Sequence, residues 1–194
     1  MTMNNQNSVM VIDVETTGLS RQNDVITTAC WYYEGSWYRW VRDLDSTILL
    51  KQHWSSCSEL ITFNGRNFDE RFLVKDIGVQ PHSSHRDVMH DGWRHGYKGG
   101  LKKVALAIGL PRPPEIEGMD GRIAIHLWNQ WKKGDGEALD LLSLYNAWDV
   151  WLTYGLYMKF VHQMELDPSH NIPWTLNPVA VERLLGSLPV EFTS

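Results

Sequence analysis

The chain has 194 residues, a net charge of −5 at neutral pH and 43% hydrophobic residues, including ten tryptophans. This length suits one domain of ordinary size, and the aromatic content excludes a disordered chain, which would be poor in aromatics and rich in like charge. The negative charge argues against an extended basic surface with strong non-specific affinity for nucleic acid. It does not exclude a nuclease, because clustered acids can meet a phosphate through metal ions.

The cysteine content and the apolar runs indicate the environment of the protein. Cys30 and Cys57 are its only cysteines, and no charged and then apolar leader precedes the first strand. We therefore expect neither a disulfide framework nor a secretory signal, and we assign the chain to the reducing cytoplasm. No apolar stretch reaches the roughly 20 residues that span a bilayer, so no membrane partner is expected.

The first half of the chain alternates strand and helix patterns after a polar N-terminus, residues 1–8, that we expect to be flexible. "VMVID" predicts a buried strand, and "VITTACWYYE" and "WYRWVRD" predict a hairpin around "GS". A short helix, "STILLKQHW", follows with Ser46 as its cap, and "ELITFNG" predicts another strand. The helix pattern "NFDERFLVKDIG" then ends at Gly78.

The second half of the chain is predicted to be mostly helical. "LKKVALAIGL" predicts a helix that stops near Gly109, before the proline-rich loop "PRPPE", and a longer helix is predicted from Ala138 to His162. Together these elements predict an α/β domain with a mixed sheet over residues 9–166. Residues 167–194 are expected to form a C-terminal appendage packed on the same domain, with one helix beginning at Asn177.

Two acids end the first strand in the stretch "VIDVETTG". Successive side chains of a strand alternate faces, so Asp13 and Glu15 point the same way, about 7 Å apart along the chain. Two acids placed in this way can share a divalent metal, although an isolated pair of this kind is more often simply solvated. Gly18 permits a tight turn that leaves amide groups free for a ligand, or that only redirects the chain.

Two further motifs carry acids. In "FNGRNFDE", Asn64 ends a strand, and Phe68 and Asp69 fall in the first turn of a helix. Alone, Asp69 could merely favour the helix N-terminus, and Phe68 could belong to the core. In "YNAWD", Tyr145 and Asp149 share one helix face, among several tryptophans. A desolvated carboxylate is costly there, so Asp149 needs a partner, which a metal would supply.

The order of these three motifs resembles the DEDD superfamily of 3′-to-5′ exonucleases. The tyrosine-bearing branch matches best, because the histidine-bearing branch would carry a histidine where this chain has Leu144. "FNGRNFD" looks like the second exonuclease motif of the proofreading domains of family B DNA polymerases and their stand-alone relatives. The resemblance covers roughly Val9 to Phe160, and it implies a ribonuclease-H-like fold with a mixed β-sheet flanked by helices.

The resemblance also implies a metal site. Two divalent ions, Mg²⁺ or Mn²⁺, would be held by Asp13, Glu15, Asp69 and Asp149, with Asp13 bridging both ions. Tyr145 would orient the nucleophilic water. Hard carboxylate ligands suit these two metals.

Substrate contacts are implied by the same resemblance. Backbone amides around Thr16, Gly18 and Leu19 would meet the terminal 3′ nucleotide, and Leu19 would wedge beside its base. Phe68 would stack on that base, and Asn64 would hold the terminal residues by hydrogen bonds. The basic segment "KGGLKK", residues 98–103, could contact phosphates or form a solvated face.

The function implied is a metal-dependent 3′-to-5′ exonuclease acting on single-stranded nucleic acid, with DNA favoured as the partner. Three alternatives remain open at this point: an exoribonuclease, a non-catalytic module that binds nucleic acid, and an endonuclease of similar fold. All four acids and the tyrosine are present, which disfavours the non-catalytic module.

Overall fold

A five-stranded sheet forms the centre of the protein in the computed structural model, which describes residues 8–164 and Leu166. The strands are β1 (Val9–Thr16), β2 (Ile26–Tyr33), β3 (Ser36–Val41), β4 (Glu59–Thr62) and β5 (His85–Asp87), arranged in the order β3-β2-β1-β4-β5. The central strand β1 pairs antiparallel with β2 and parallel with β4. The mixed α/β sheet predicted from the order of elements is therefore confirmed.

Six α-helices cover the sheet: α1 (Ile48–Ser56), α2 (Asp69–Asp76), α3 (Val88–Arg94), α4 (Leu101–Ala107), α5 (Gly121–Lys132) and α6 (Gly136–His162). This count refers to the described part of the chain. A short 3-10 helix, Pro114–Ile116, lies between α4 and α5. None of the described helices is both long enough and apolar enough to cross a membrane.

The two faces of β1 pack against different helices. Met10 and Ile12 belong to the core that contains residues of α1 and α2, whereas Val11 belongs to the core that contains residues of α4, α5 and α6. Because side chains alternate along a strand, Asp13 and Glu15 lie on the same side as Val11. The acids at the end of β1 thus face α6, which packs across β1 and β2.

Three elements were missing from the sequence interpretation: β5, α3 and α5. The three residues of β5 read His-Arg-Asp, which gave no apolar signal, and pairing with β4 buries two of them. The N-terminus of α5 is fixed by Asp120, whose carboxylate accepts hydrogen bonds from the backbone N–H groups of Arg122 and Ile123. These elements depend on packing and capping more than on a clear hydrophobic period.

The other boundaries differ by up to three residues: β1 continues to Thr16 beyond the predicted "VMVID", and β4 ends at Thr62, before the predicted Asn64. Helix α6 begins at Gly136, two residues before the predicted Ala138. Helix α1 has Thr47 at its N-cap position, and the Ser46 hydroxyl accepts a hydrogen bond from the Ile48 N–H at 3.3 Å. The predicted flexible segment, apart from Ser8, and the predicted appendage of residues 167–194 with its helix at Asn177 lie outside the described residues.

Candidate active site

Three carboxylates converge where β1 meets α6. Asp13, Glu15 and Asp149 each have one carboxylate oxygen that lies within 4.8 Å of the corresponding oxygens of the other two. The alternation of side chains along β1 places Asp13 and Glu15 on one face of the sheet. Helix α6 packs on that face and carries Asp149. Motifs that are far apart in the sequence thus meet in one cluster, which we call the carboxylate cluster.

Asp69 lies beside this cluster without being one of the three converging groups. It is buried at the start of α2, and its Oδ1 accepts a hydrogen bond from the Val14 N–H at 3.0 Å. Gly65 allows this close approach, because a Cβ there would lie 2.8 Å from Asp69 Oδ2 and 2.4 Å from the Thr62 Cβ. The carboxyl group of Asp69 is therefore held next to β1 by a backbone contact.

The acids raise one another's pKa. Desolvation, followed by the charges of Asp69 and Glu15, raises the pKa of Asp13 well above its ordinary value. Desolvation and then the charge of Asp69 raise the pKa of Glu15 to about 8. Desolvation also raises the pKa of Asp69 to about 7. Burial is the largest cause in each case, and a bound cation would favour the ionised forms of these groups.

Asn146 fixes the position of Asp13. Its Nδ2 donates to Asp13 Oδ2 at 2.6 Å, and its own Oδ1 accepts from the Thr28 hydroxyl at 3.3 Å. The residue is completely buried on α6. It stands in the motif "YNAWD", but the sequence interpretation gave it no role. An asparagine among apolar and aromatic residues of a buried helix is the signal that could have identified it.

Asp149 has an arginine partner that the sequence interpretation missed. Arg112, between two prolines in the loop before α5, donates from Nη2 to Asp149 Oδ1 and from Nη1 to the Met119 carbonyl at 3.2 Å. The Arg112 side chain is only 4% exposed, and its guanidinium carbon lies 4.6 Å from the centre of the Tyr145 ring. The expectation that Asp149 needs a partner is therefore met by Arg112 in this structure, and the predicted metal contact of Asp149 stays a prediction.

Tyr145 is buried beside the cluster. Desolvation and then the charge of Glu15 raise the pKa of its phenol, so the hydroxyl keeps its proton. The ammonium group of Lys102 lies 5.6 Å from the Tyr145 ring centre, and desolvation followed by the charge of Arg112 lowers the pKa of this lysine to about 8. Part of the basic segment of residues 98–103 thus reaches the site.

A cavity of about 470 Å³ opens next to Glu15. Three of the predicted substrate contacts line it, namely Thr16, Leu19 and Phe68, and the Leu19 side chain is 83% exposed. The remaining wall comes from the start of α5 and was not foreseen: Asp120, Gly121, Arg122 and Ile125. The cavity therefore joins the loop after β1, the start of α2 and the start of α5.

Gly18 and Asn64 do not line this cavity. Gly18 shapes the turn after β1: its carbonyl accepts from the Thr16 hydroxyl at 2.6 Å, and a Cβ on Gly18 would lie 2.6 Å from an Asp24 carboxylate oxygen. Asn64 is exposed with a φ of 61°, and its N–H donates to Asp87 Oδ1 at 2.7 Å. The structure thus gives both residues a local backbone role.

The residues present fit a hard divalent cation such as Mg²⁺ or Mn²⁺. Such ions prefer oxygen ligands, and the converging donors are carboxylate oxygens from Asp13, Glu15 and Asp149. Burial raises the pKa of Asp13 and of Glu15, and a cation bound at the cluster would oppose this rise. Asp69 retains Oδ2 as a further oxygen, since only its Oδ1 accepts from Val14.

Comparison with known proteins identifies the family to which this fold belongs. The family model RNase_H_2, of the RNase_H superfamily, matches residues 10–161. The chain therefore belongs to the RNase H superfamily, and its fold is a nuclease fold. A comparison with curated protein sequences finds no match.

One similar solved structure is the family B DNA polymerase from the hyperthermophilic archaeon Pyrobaculum calidifontis. The two chains share 16% sequence identity with a TM-score of 0.64, and the match covers 82% of this chain and 25% of the polymerase. At this identity the likeness shows the fold. The present chain corresponds to about a quarter of the polymerase's length.

Proposed function

We propose that the protein is a metal-dependent 3′-to-5′ exonuclease of the tyrosine-bearing DEDD type that hydrolyses single-stranded nucleic acid, with DNA as the favoured substrate. The observation that carries this proposal is the convergence of Asp13, Glu15 and Asp149, with Tyr145 one helical turn before Asp149. These acids are far apart in the sequence, and bringing them together in a buried place costs folding free energy that stability alone does not explain.

The metal ligands in this proposal are Asp13, Glu15 and Asp149, with Asp69 in a supporting role. Two bound Mg²⁺ or Mn²⁺ ions would stabilise the charge that develops on the attacking and leaving oxygens of a phosphodiester. Asn146 holds Asp13 through one oxygen, and the Val14 N–H holds Asp69 through one oxygen. The other carboxylate oxygen of Asp13 and of Asp69 takes no part in these two hydrogen bonds.

Tyr145 is the group that orients the nucleophilic water in this proposal. Its hydroxyl is protonated at neutral pH, because desolvation and the neighbouring acids raise its pKa. A protonated phenol can donate one hydrogen bond and accept another, so it can position a water without taking the proton itself. The proton of that water would pass to a nearby carboxylate or to solvent.

The cavity beside Glu15 is the proposed site for the terminal nucleotide. Its volume of about 470 Å³ lies within the range of about 300 to 1,000 Å³ that is usual for small-molecule sites. Leu19 and Phe68 offer apolar contacts to a base, and aromatic side chains stack on bases with little sequence preference. DNA is favoured over RNA because the similar polymerase is a DNA polymerase.

The test is digestion of 5′-labelled single-stranded DNA and RNA of the same sequence by wild type and Asp13→Ala, with Mg²⁺, Mn²⁺ or EDTA. We expect a metal-dependent ladder of products that shorten from the 3′ end, faster on DNA and absent with the variant. A circular single-stranded DNA serves as the control, and it should stay intact. Cleavage of the circle would indicate an endonuclease, and binding of both linear substrates without cleavage under any metal would contradict catalysis.

A further inference from the structure

We propose that Arg112 occupies the metal-ligand position on Asp149 when no divalent ion is bound, and that it is exchanged for the ion when the site fills. This inference rests on the metal centre of the proposed function. It makes Arg112 a counter-ion that neutralises Asp149 before the metal binds and that competes with the metal for this carboxylate.

The first support is the geometry of the contact. Arg112 Nη2 donates to Oδ1 of the acid that converges with Asp13 and Glu15, and its side chain is almost fully buried. Its charge also acts favourably on the ionised forms of Asp13 and Glu15. One guanidinium therefore performs, for three carboxylates, part of the neutralisation that a metal ion would provide.

The second support is the charge balance. Two divalent cations would neutralise four ionised carboxylates, and Arg112 would then be surplus positive charge in contact with them. The positive charges of Lys102 and Arg112 already repel each other, and after desolvation this repulsion is the next cause that lowers the pKa of the lysine. Metal binding thus weakens the attraction between Arg112 and Asp149 and adds to the repulsion that Arg112 experiences, which leaves the Met119 carbonyl and the Tyr145 ring as its remaining contacts.

The third support is the way Arg112 is tethered. It lies in the sequence Pro-Arg-Pro-Pro, whose three prolines have no N–H to bind the neighbouring backbone. The backbone is anchored on either side, where the Leu110 N–H donates to the Ala105 carbonyl at 3.0 Å and the Ile116 N–H donates to the Pro113 carbonyl at 3.1 Å. Arg112 Nε has no hydrogen-bond partner among the described residues. The side chain can leave without breaking a sheet or a helix.

The exchange also concerns Tyr145. The Arg112 guanidinium covers the Tyr145 ring at 4.6 Å, next to the space where the nucleophilic water is proposed to lie. Departure of Arg112 from Asp149 would open this side of the phenol at the moment when the metal binds. The exchange would therefore couple the accessibility of the Tyr145 hydroxyl to metal binding.

The direct test is chemical modification of arginines by phenylglyoxal in the full-length protein without nucleic acid, with EDTA or with saturating Mn²⁺. Modification at each arginine is read by mass spectrometry of peptides, and bound Mn²⁺ is measured in the same samples by electron paramagnetic resonance. We expect Arg112 to react about tenfold faster with Mn²⁺, because the ion shifts its population toward the released form. Arg94, whose side chain is 72% exposed, is the internal reference and should react equally in both.

Two variants extend this test. Asp149→Asn removes the anionic partner, so Arg112 should react quickly in EDTA and respond little to Mn²⁺. Arg112→Gln removes the competitor, so Mn²⁺ should bind about tenfold more tightly, a change equivalent to about 1.4 kcal/mol. Arg94→Gln is the matched control for loss of one arginine, and its Mn²⁺ affinity should equal that of wild type. Weaker binding by Arg112→Gln, or unchanged reactivity of Arg112 in Mn²⁺-loaded wild type, would overturn the exchange.

The failure of this inference can be distinguished from the failure of the proposed function. Cleavage of DNA and binding of Mn²⁺ without release of Arg112 would remove the exchange and leave the exonuclease. Release of Arg112 by Mn²⁺ without cleavage of any nucleic acid would support the exchange and remove the exonuclease. Absence of Mn²⁺ binding would overturn both.

Discussion

Two groups of charged residues lie on this sheet, and they are balanced differently. We call the first the Arg86 network. In it, Arg86 donates to Glu59 at 3.0 Å and lies 3.3 Å from a carboxylate oxygen of Asp91. Arg94 lies 2.8 Å from the other oxygen of Asp91. Two acids there face two arginines. In the second, the three acids of the carboxylate cluster and the adjacent Asp69 share one bound arginine and a neighbouring lysine. Balanced charge is expected to serve stability, and unbalanced charge is expected to serve ligand binding.

The largest expected effect comes from removing one acid of the cluster. Asp13→Asn should lower the rate of nucleotide release by at least about 10³-fold, because a metal bridge is lost. Its thermal stability in EDTA should equal or exceed that of wild type, because a repelling charge is gone while the oxygen that accepts from Asn146 is retained. Rate assays and thermal melts check the two parts. A strong loss of stability would show that the acid serves the fold.

Tyr145→Phe should have the next largest effect. It removes the hydroxyl proposed to orient water and keeps the ring against Arg112, so kcat should fall by about tenfold to a hundredfold. The affinity for Mn²⁺ should not change, because the phenol is not a metal ligand in the proposed arrangement. Single-turnover kinetics together with a Mn²⁺ titration would separate these two properties. An unchanged kcat would remove Tyr145 from the mechanism.

Arg86→Met tests the Arg86 network, the group in which acids and arginines are balanced. It takes one arginine from the Arg86 network, and since its side chain is 36% exposed, we expect only about 1–2 kcal/mol of lost unfolding free energy. Exonuclease activity at a temperature well below the melting point should remain within about twofold of wild type. Urea denaturation measures the first quantity. A large loss of activity would show that the two groups are coupled.

The pH dependence of stability should differ between metal-free and metal-bound protein. In EDTA the pKa of Glu15 is about 8 in the folded state against an ordinary 4.5, so between these values the folded protein binds more protons than the unfolded chain. The free energy of unfolding should therefore fall as pH rises toward 8.

Comparison of wild type with Glu15→Gln measures the contribution of Glu15 together with its effect on the pKa of Asp13, which the charge of Glu15 raises. Wild type should lose more stability than the variant between about pH 6.5 and 8.5, and saturating Mg²⁺ should abolish the difference. Equal slopes in EDTA would show that Glu15 is not held with a raised pKa.

Leu19→Ala should have the smallest effect. Leu19 lines the rim of the cavity and is 83% exposed, so its loss should raise KM for single-stranded DNA by about threefold to tenfold with little change in kcat or stability. Steady-state kinetics with a short oligonucleotide measures this. A kcat effect as large as that of Tyr145→Phe would place Leu19 in the chemistry, and not in binding.

The parts of the site that the sequence predicted depend on local periodicity. Asp13 and Glu15 share a face because a strand has a period of two, and Tyr145 and Asp149 share a face because a helix has about 3.6 residues per turn. The alternation and the order of elements also predicted the mixed sheet. These features follow from residues within one element, which a sequence shows directly.

The parts that the sequence missed depend on tertiary placement. Arg112 stands on an irregular loop, and no periodicity indicates that its guanidinium reaches Asp149 on α6. The wall of the cavity formed by α5 was missed with the helix itself. Asn64 has a left-handed backbone conformation and a main-chain bond to Asp87, neither of which the sequence indicated, and its substrate contact stays a prediction. Such contacts appear only when the layers are assembled.

The distance in sequence between the two halves of the site has a consequence for biosynthesis. Asn146 on α6 bonds to Asp13 on β1 across 133 positions, so the first strand leaves the ribosome long before the helix that completes the site. Synthesis proceeds at about 5–20 residues per second, which leaves a nascent chain for several seconds with its first two acids and without Asp149. The proposed degradative activity toward nucleic acid would thereby be withheld until the last described helix has emerged and docked.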